Sequence, residues 1–189
     1  MKVLTVYGGP HKQGNTATTL GWVEEELGKL GHQVDRVDVA GKKISGCAGC
    51  YACQGPDADF VCVQKDDATP ILARFREADA YVFASPLYMW GFSGQTKVFL
   101  DRLMCQVKGF MTPQFQSTLK GKPVGLVVSC GGPVENNAEL ILEQMNRMGA
   151  YAQADMKGHV VAAGCQPGGQ PSEEFKSQAV ALARSIGQA

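Results

Sequence analysis

No stretch of this 189-residue chain approaches the run of about 20 apolar residues that a membrane-crossing helix needs. It does not open on the long apolar core of a secretion signal either, since Met1 and Lys2 lead straight into the short run Val3 to Tyr7. Like charges form no block, and Lys plus Arg balance Asp plus Glu at 18 each. Without a basic surface to neutralise phosphates, nucleic acid is not an expected partner. A disulfide scaffold is excluded as well. The seven cysteines are odd in number, and four crowd into residues 47–62, which in a reducing compartment points to metal or redox chemistry. Together these features predict a soluble, cytoplasmic protein with no membrane partner.

The apolar pattern is that of alternating strands and helices. Strands are expected at Val3–Tyr7, Val34–Val39, Tyr81–Ala84, Pro123–Ser129 and somewhere within 151–163. The first helix carries Leu20, Val23, Leu27 and Leu30 on one face and ends at Gly31. Further helices are expected from Asp66 or Asp67 to about Ala78, over 96–107, over 135–148, and from Ser172 onward. Between the second strand and the second helix, residues 41–65 show no clean period and hold the cysteines. At this length a chain buries roughly 70% of its extended surface, enough for one core, so a single α/β domain over 1–189 is expected.

Three loops that follow strands carry chemistry. "GGPHKQGNT" comes after the first strand. Its Gly9-x-x-x-x-Gly14-Asn15-Thr16 has the outline of a triphosphate loop with Asn15 in place of the lysine, and the chain contains no G-x-G-x-x-G. Backbone amides at a helix start still suit one terminal phosphate, with Asn15 and Thr16 as further donors. "SPLYMWGFSGQTKVFLDR" follows the third strand and "SCGGP" the fourth. In open α/β sheets, ligands sit beyond the carboxyl ends of such strands.

The first loop is similar to the GSxRxxGNT phosphate loop of the NADPH-dependent FMN reductase and iron–sulfur flavoprotein branch of the flavodoxin-like superfamily. Gly14, Asn15 and Thr16 match. Gly9 stands where the family has serine, and His11 where it often has arginine. The second segment resembles SPxYxxxxSGxxKxFxDR at Ser85, Pro86, Tyr88, Ser93, Gly94, Lys97, Phe99, Asp101 and Arg102. The resemblance implies a flavodoxin-like, doubly wound, five-stranded parallel sheet in three layers, with a cysteine-rich excursion after the second strand. It implies FMN held by Gly9, His11, Gly14, Asn15 and Thr16 at the phosphate. Pro86, Leu87, Tyr88, Met89 and Trp90 would lie along the ring, with Ser129, Cys130, Gly131 and Gly132 as the third wall. NAD(P)H would donate hydride to FMN, which would reduce a flavin, quinone or similar acceptor. No side-chain acid or base is required of the protein. A homodimer or homotetramer is implied too.

"CAGCYACQGPDADFVC" places Cys47, Cys50, Cys53 and Cys62 in a C-x2-C-x2-C-x8-C pattern. It looks like the compact motif of the iron–sulfur flavoproteins, which would make the four thiolates ligands of a [4Fe–4S] cluster. Zinc, or thiols that bind no metal, are the other readings. With a cluster the protein would instead be a carrier, passing single electrons between FMN, the cluster and a redox-protein partner. Cys105 and Cys165 are expected to be packing residues.

Overall fold

The computed structural model describes residues 1–55 and 58–188. Five parallel strands form the sheet: β1 (Lys2–Tyr7), β2 (Gln33–Asp38), β3 (Ala80–Tyr88), β7 (Pro123–Ser129) and β8 (Asp155–Ala162), in the spatial order β2-β1-β3-β7-β8. Three two-residue strands complete the set. β4 (Gly91–Phe92) folds back on β3, while β5 (Val107–Lys108) and β6 (Gln116–Ser117) pair with each other. The strand order is the flavodoxin-like one, with its switch point beside β1.

Helices α1 (Asn15–Lys29), α2 (Ala68–Glu77), α3 (Gly94–Arg102), α4 (Glu139–Tyr151) and α5 (Glu174–Gly187) cover both faces. Central strands show why a continuous apolar run was needed. In β3, Tyr81 and Phe83 point into the core shared with α2, α3 and α4, whereas Val82 and Ala84 point into the core shared with α1 and α5. Each of these four side chains is at most 1% exposed.

Boundaries moved where local signals were weak. The third helix stops at Arg102, five residues short of expectation, because the next turn tightens to a 3-10 segment, Leu103–Gln106, that leads into β5. The fourth helix begins at Glu139 rather than Glu135, after the turns over 135–138. β8 carries an irregularity opposite Val124 and Gly125, where Gly158 takes φ 112°. Between β2 and α2, the described residues hold only one short 3-10 turn, Ala52–Gln54.

Candidate functional site

Four strand-end loops converge on a cavity of about 750 Å³. They follow β1, β3, β7 and β8, so all belong to the carboxyl edge of the sheet. The volume lies within the range of about 300–1,000 Å³ common to small-molecule sites.

The loop after β1 forms one end. Gly9, His11, Gly14, Asn15 and Thr16 all border the cavity. α1 starts at Asn15 with extended Gly14 before it, and no side chain caps it. Its first peptide N–H groups therefore lack the partners a side-chain cap would supply, and the helix dipole adds partial positive charge there. Two close approaches shape the turn. A Cβ on Gly8 would lie 1.8 Å from Thr96 Oγ1, and one on Gly9 would lie 2.3 Å from Tyr7 Oη. The Tyr7 hydroxyl in turn donates to the His11 carbonyl at 2.6 Å. Burial, above all, pushes the Tyr7 phenol up to about 12, so it stays a donor.

Asn15 and Thr16 differ from their expected roles in detail. Asn15 donates through Nδ2 to the Gln166 carbonyl at 3.0 Å, and its Oδ1 is buried without a hydrogen-bond partner. The Thr16 hydroxyl, expected to face a phosphate, is 2.5 Å from Ser129 Oγ in a buried bond between the first and third loops.

The motif residues of the β3 loop are architectural. Ser93 Oγ donates to the Gly8 carbonyl at 2.6 Å and accepts from the Thr96 amide at 3.3 Å, capping α3. The Ser93 amide donates to Ser85 Oγ at 3.0 Å. These bonds lock the second loop to the first. Pro86, Leu87 and Tyr88 border the cavity, but Met89 and Trp90 do not. They form the tip of the β3–β4 hairpin, 86% and 53% exposed, with φ of 47° and 60°. Positive φ at both central positions is that of a type I′ two-residue hairpin turn. Ser129, Cys130 and Gly131 supply the third wall, and Gly132 lies outside it.

Sequence reasoning missed a fourth wall, formed by Cys165, Gln166, Pro167 and Gly168. The signal was present, since a Gln-Pro-Gly-Gly turn follows the fifth strand as glycine-rich turns follow the first and fourth. Cys165, expected to be packing, lies half-buried beside Cys130.

The other cysteines meet elsewhere. Cys47, Cys50, Cys53 and Cys62 all line a separate cavity of about 420 Å³, together with Cys105 and Arg102. Cys47 and Cys50 are exposed, Cys53 and Cys62 half-buried. Burial pushes the Cys105 thiol up to about 11, which marks it as an inert lining group. The Arg102 side chain has no exposed surface, and its Nε is buried without a partner. Among the described residues, no three His, Cys, Asp or Glu side chains converge tightly enough to hold one metal ion.

Known proteins resemble this chain in sequence and in fold. An iron-sulfur flavoprotein of Archaeoglobus fulgidus is 32% identical over 176 residues, covering 93% of this chain and 74% of its own. One from Methanosarcina thermophila is 31% identical over 147 residues, 77% of this chain and 71% of its own. In fold, the FMN-dependent NADH-azoreductase of Bacillus anthracis in complex with FMN superposes with a TM-score of 0.71 at 14% identity, covering 100% of this chain and 98% of that one. The sequence model of NADPH-dependent FMN reductases matches residues 1–168. With that match over most of its length, and with its strand-end loops gathered on one cavity, the chain belongs to the NADPH-dependent FMN reductase family.

Proposed function

We propose that this chain is an FMN-dependent oxidoreductase that takes hydride from NAD(P)H and passes electrons to a flavin, quinone or similar small acceptor. One observation carries the reading: the uncapped start of α1 borders the 750 Å³ cavity walled by the β3 and β7 loops. An uncapped helix start fits a phosphate dianion. The residues therefore suit FMN.

Bound FMN supplies the two-electron chemistry; the protein binds, orients and excludes water. The amides at the start of α1, with His11 nearby, hold the phosphate. Pro86, Leu87 and Tyr88, with Ser129, Cys130 and Gly131, would border the flavin ring. Anaerobic addition of NADPH or NADH should bleach the bound flavin within the turnover time. A flavin that stays oxidised overturns the reading.

A second reading is supported by the cavity that Cys47, Cys50, Cys53 and Cys62 share. Four thiolates bordering one cavity could each ligate a separate iron of a [4Fe–4S] cluster. Arg102 would then place its free Nε–H and its charge beside an anionic group. The chain would then pass single electrons to a redox-protein partner. Iron and acid-labile sulfide assays on anaerobically purified protein decide it: near four of each per chain supports the carrier, and negligible iron supports the hydride-using reductase alone.

Assembly and compartment belong to the same proposal. The exposed Tyr88, Met89 and Trp90 of the β3–β4 hairpin favour a homodimer or homotetramer, read by light scattering. Seven cysteines, all free, favour the reducing cytoplasm. No helix of the described residues is long and apolar enough to cross a membrane.

A further inference from the structure

Cys130 and Cys165 stand side by side in the wall of the flavin cavity, and the reaction described above needs neither thiol. Cys130 follows β7 and Cys165 follows β8. The Cys130 amide donates to the Ala162 carbonyl at 2.9 Å, and the Cys165 amide donates to the Cys130 carbonyl, also at 2.9 Å. Neighbouring backbone segments joined by such bonds run about 4.8 Å apart in the hydrogen-bonding direction. A disulfide spans roughly 4.4–6.8 Å between Cα atoms. The backbone spacing between the two residues is thus compatible with a bridge.

The thiols have little to lose by pairing. Cys130 Sγ donates to the Gly132 carbonyl at 3.3 Å and Cys165 Sγ to the Ala162 carbonyl at 3.2 Å. Thiol hydrogen bonds are weak, so giving both up costs little. Burial pushes both thiols up. Cys165 raises Cys130 further, whereas the Cys130 backbone partly offsets the effect of burial on Cys165.

We propose that Cys130 and Cys165 are a second redox centre, a dithiol that closes to a disulfide by giving two electrons to oxidised flavin in the cavity and reopens by taking them from reduced flavin. On closing, two S–H bonds break and one S–S bond forms. The two electrons and two protons pass to the flavin, leaving it as the dihydro form. On reopening, the same two electrons and two protons return to sulfur. The pair then stores the electrons of one hydride transfer beside the flavin. For its electron partner the proposal rests on the FMN reading; for its geometry it does not.

The test uses the full chain, with and without FMN, equilibrated anaerobically in graded mixtures of reduced and oxidised dithiothreitol, then alkylated and digested with trypsin. Cys130 and Cys165 fall in separate fragments, residues 121–147 and 158–176, neither containing another cysteine. The expected result is a cross-linked pair of these fragments that grows as the buffer becomes more oxidising, in both forms of the protein. A reductive titration of oxidised holoprotein should also consume one electron pair more than Cys165→Ser. Absence of the cross-link at every ratio overturns the dithiol. A cross-link accompanied by equal titrations of wild type and Cys165→Ser overturns its coupling to flavin. Failure to bind FMN would show separately, as missing flavin absorbance, while the cross-link in the FMN-free chain still decides the pair.

Discussion

The Arg102 guanidinium donates to both carboxylate oxygens of Asp66, at 2.7 and 3.3 Å, and to the Ser45 carbonyl at 2.8 Å. Asp66 also accepts the amides of Ser45, at 2.9 Å, and Ala68, at 3.0 Å. One ion pair thereby joins the two ends of the cysteine segment and steadies the start of α2. Asp66→Asn leaves a buried cation without its counter-charge, which costs about 3–5 kcal/mol. Urea unfolding should show this loss, and a change below about 1 kcal/mol would contradict the assignment.

The same pair sets an acid limit. Burial opposes ionisation of Asp66, but the Arg102 bond and the Ser45 and Ala68 amides outweigh it and hold the carboxyl below its usual range. As pH falls, the unfolded chain takes up this proton first. The contribution is therefore complete above the ordinary aspartate range and is lost as pH drops through the lower folded value. Asp66→Asn should flatten the acid limb of a stability profile measured by thermal melts.

Tyr7 predicts the opposite limb. Its phenol is raised by burial to about 12 from an ordinary value of 10.0. Between those values the folded chain retains a proton that the unfolded chain has released, so stability falls as pH rises through that window. Tyr7→Phe should remove part of this alkaline slope. Tyrosinate absorbance should show Tyr7 ionising late or together with unfolding.

Gly9 shapes the loop after β1 through Tyr7. A methyl there would meet Tyr7 Oη at 2.3 Å and Cζ at 2.6 Å, so Gly9→Ala must displace the ring and break its 2.6 Å bond to the His11 carbonyl. FMN affinity should fall at least about tenfold, equivalent to about 1.4 kcal/mol. Riboflavin, which lacks the phosphate, should lose much less in the same fluorescence titration. Equal losses would move the phosphate away from this loop.

The hairpin tip stores strain. Met89 and Trp90 occupy left-handed backbone, which costs a residue other than glycine about 1–2 kcal/mol. Replacing them with Asn and Gly, the pair that such a turn prefers, should raise stability by about 1 kcal/mol or more in urea. If flavin affinity is unchanged in the same variant, the two side chains lie outside the flavin site, as their absence from the cavity wall implies.

Much of this protein was legible in one dimension, for reasons of physics. β3 is buried on both faces, so its composition could only be continuously apolar, and the run Tyr81–Ala84 announced it. The glycines of the first loop mark where Tyr7 and Thr96 press against backbone, and side chains are excluded at such points whatever the ligand. Local order of strand, glycine turn and helix thus set the fold class and three walls of the cavity. The family resemblance added the identity of the ligand.

What only the tertiary structure decided were relations between distant residues. Nothing near Cys165 in the chain shows that β8 lies beside β7, yet that adjacency places its thiol next to Cys130. Ser85, Ser93 and Gly8 meet because two loops cross at the switch point of the sheet. Met89 and Trp90 are exposed because they fall at the tip of a two-residue turn, which only the pairing of β3 with β4 creates. Spacing along the chain determines which groups are available. Sheet order and turn handedness determine which of them face one another.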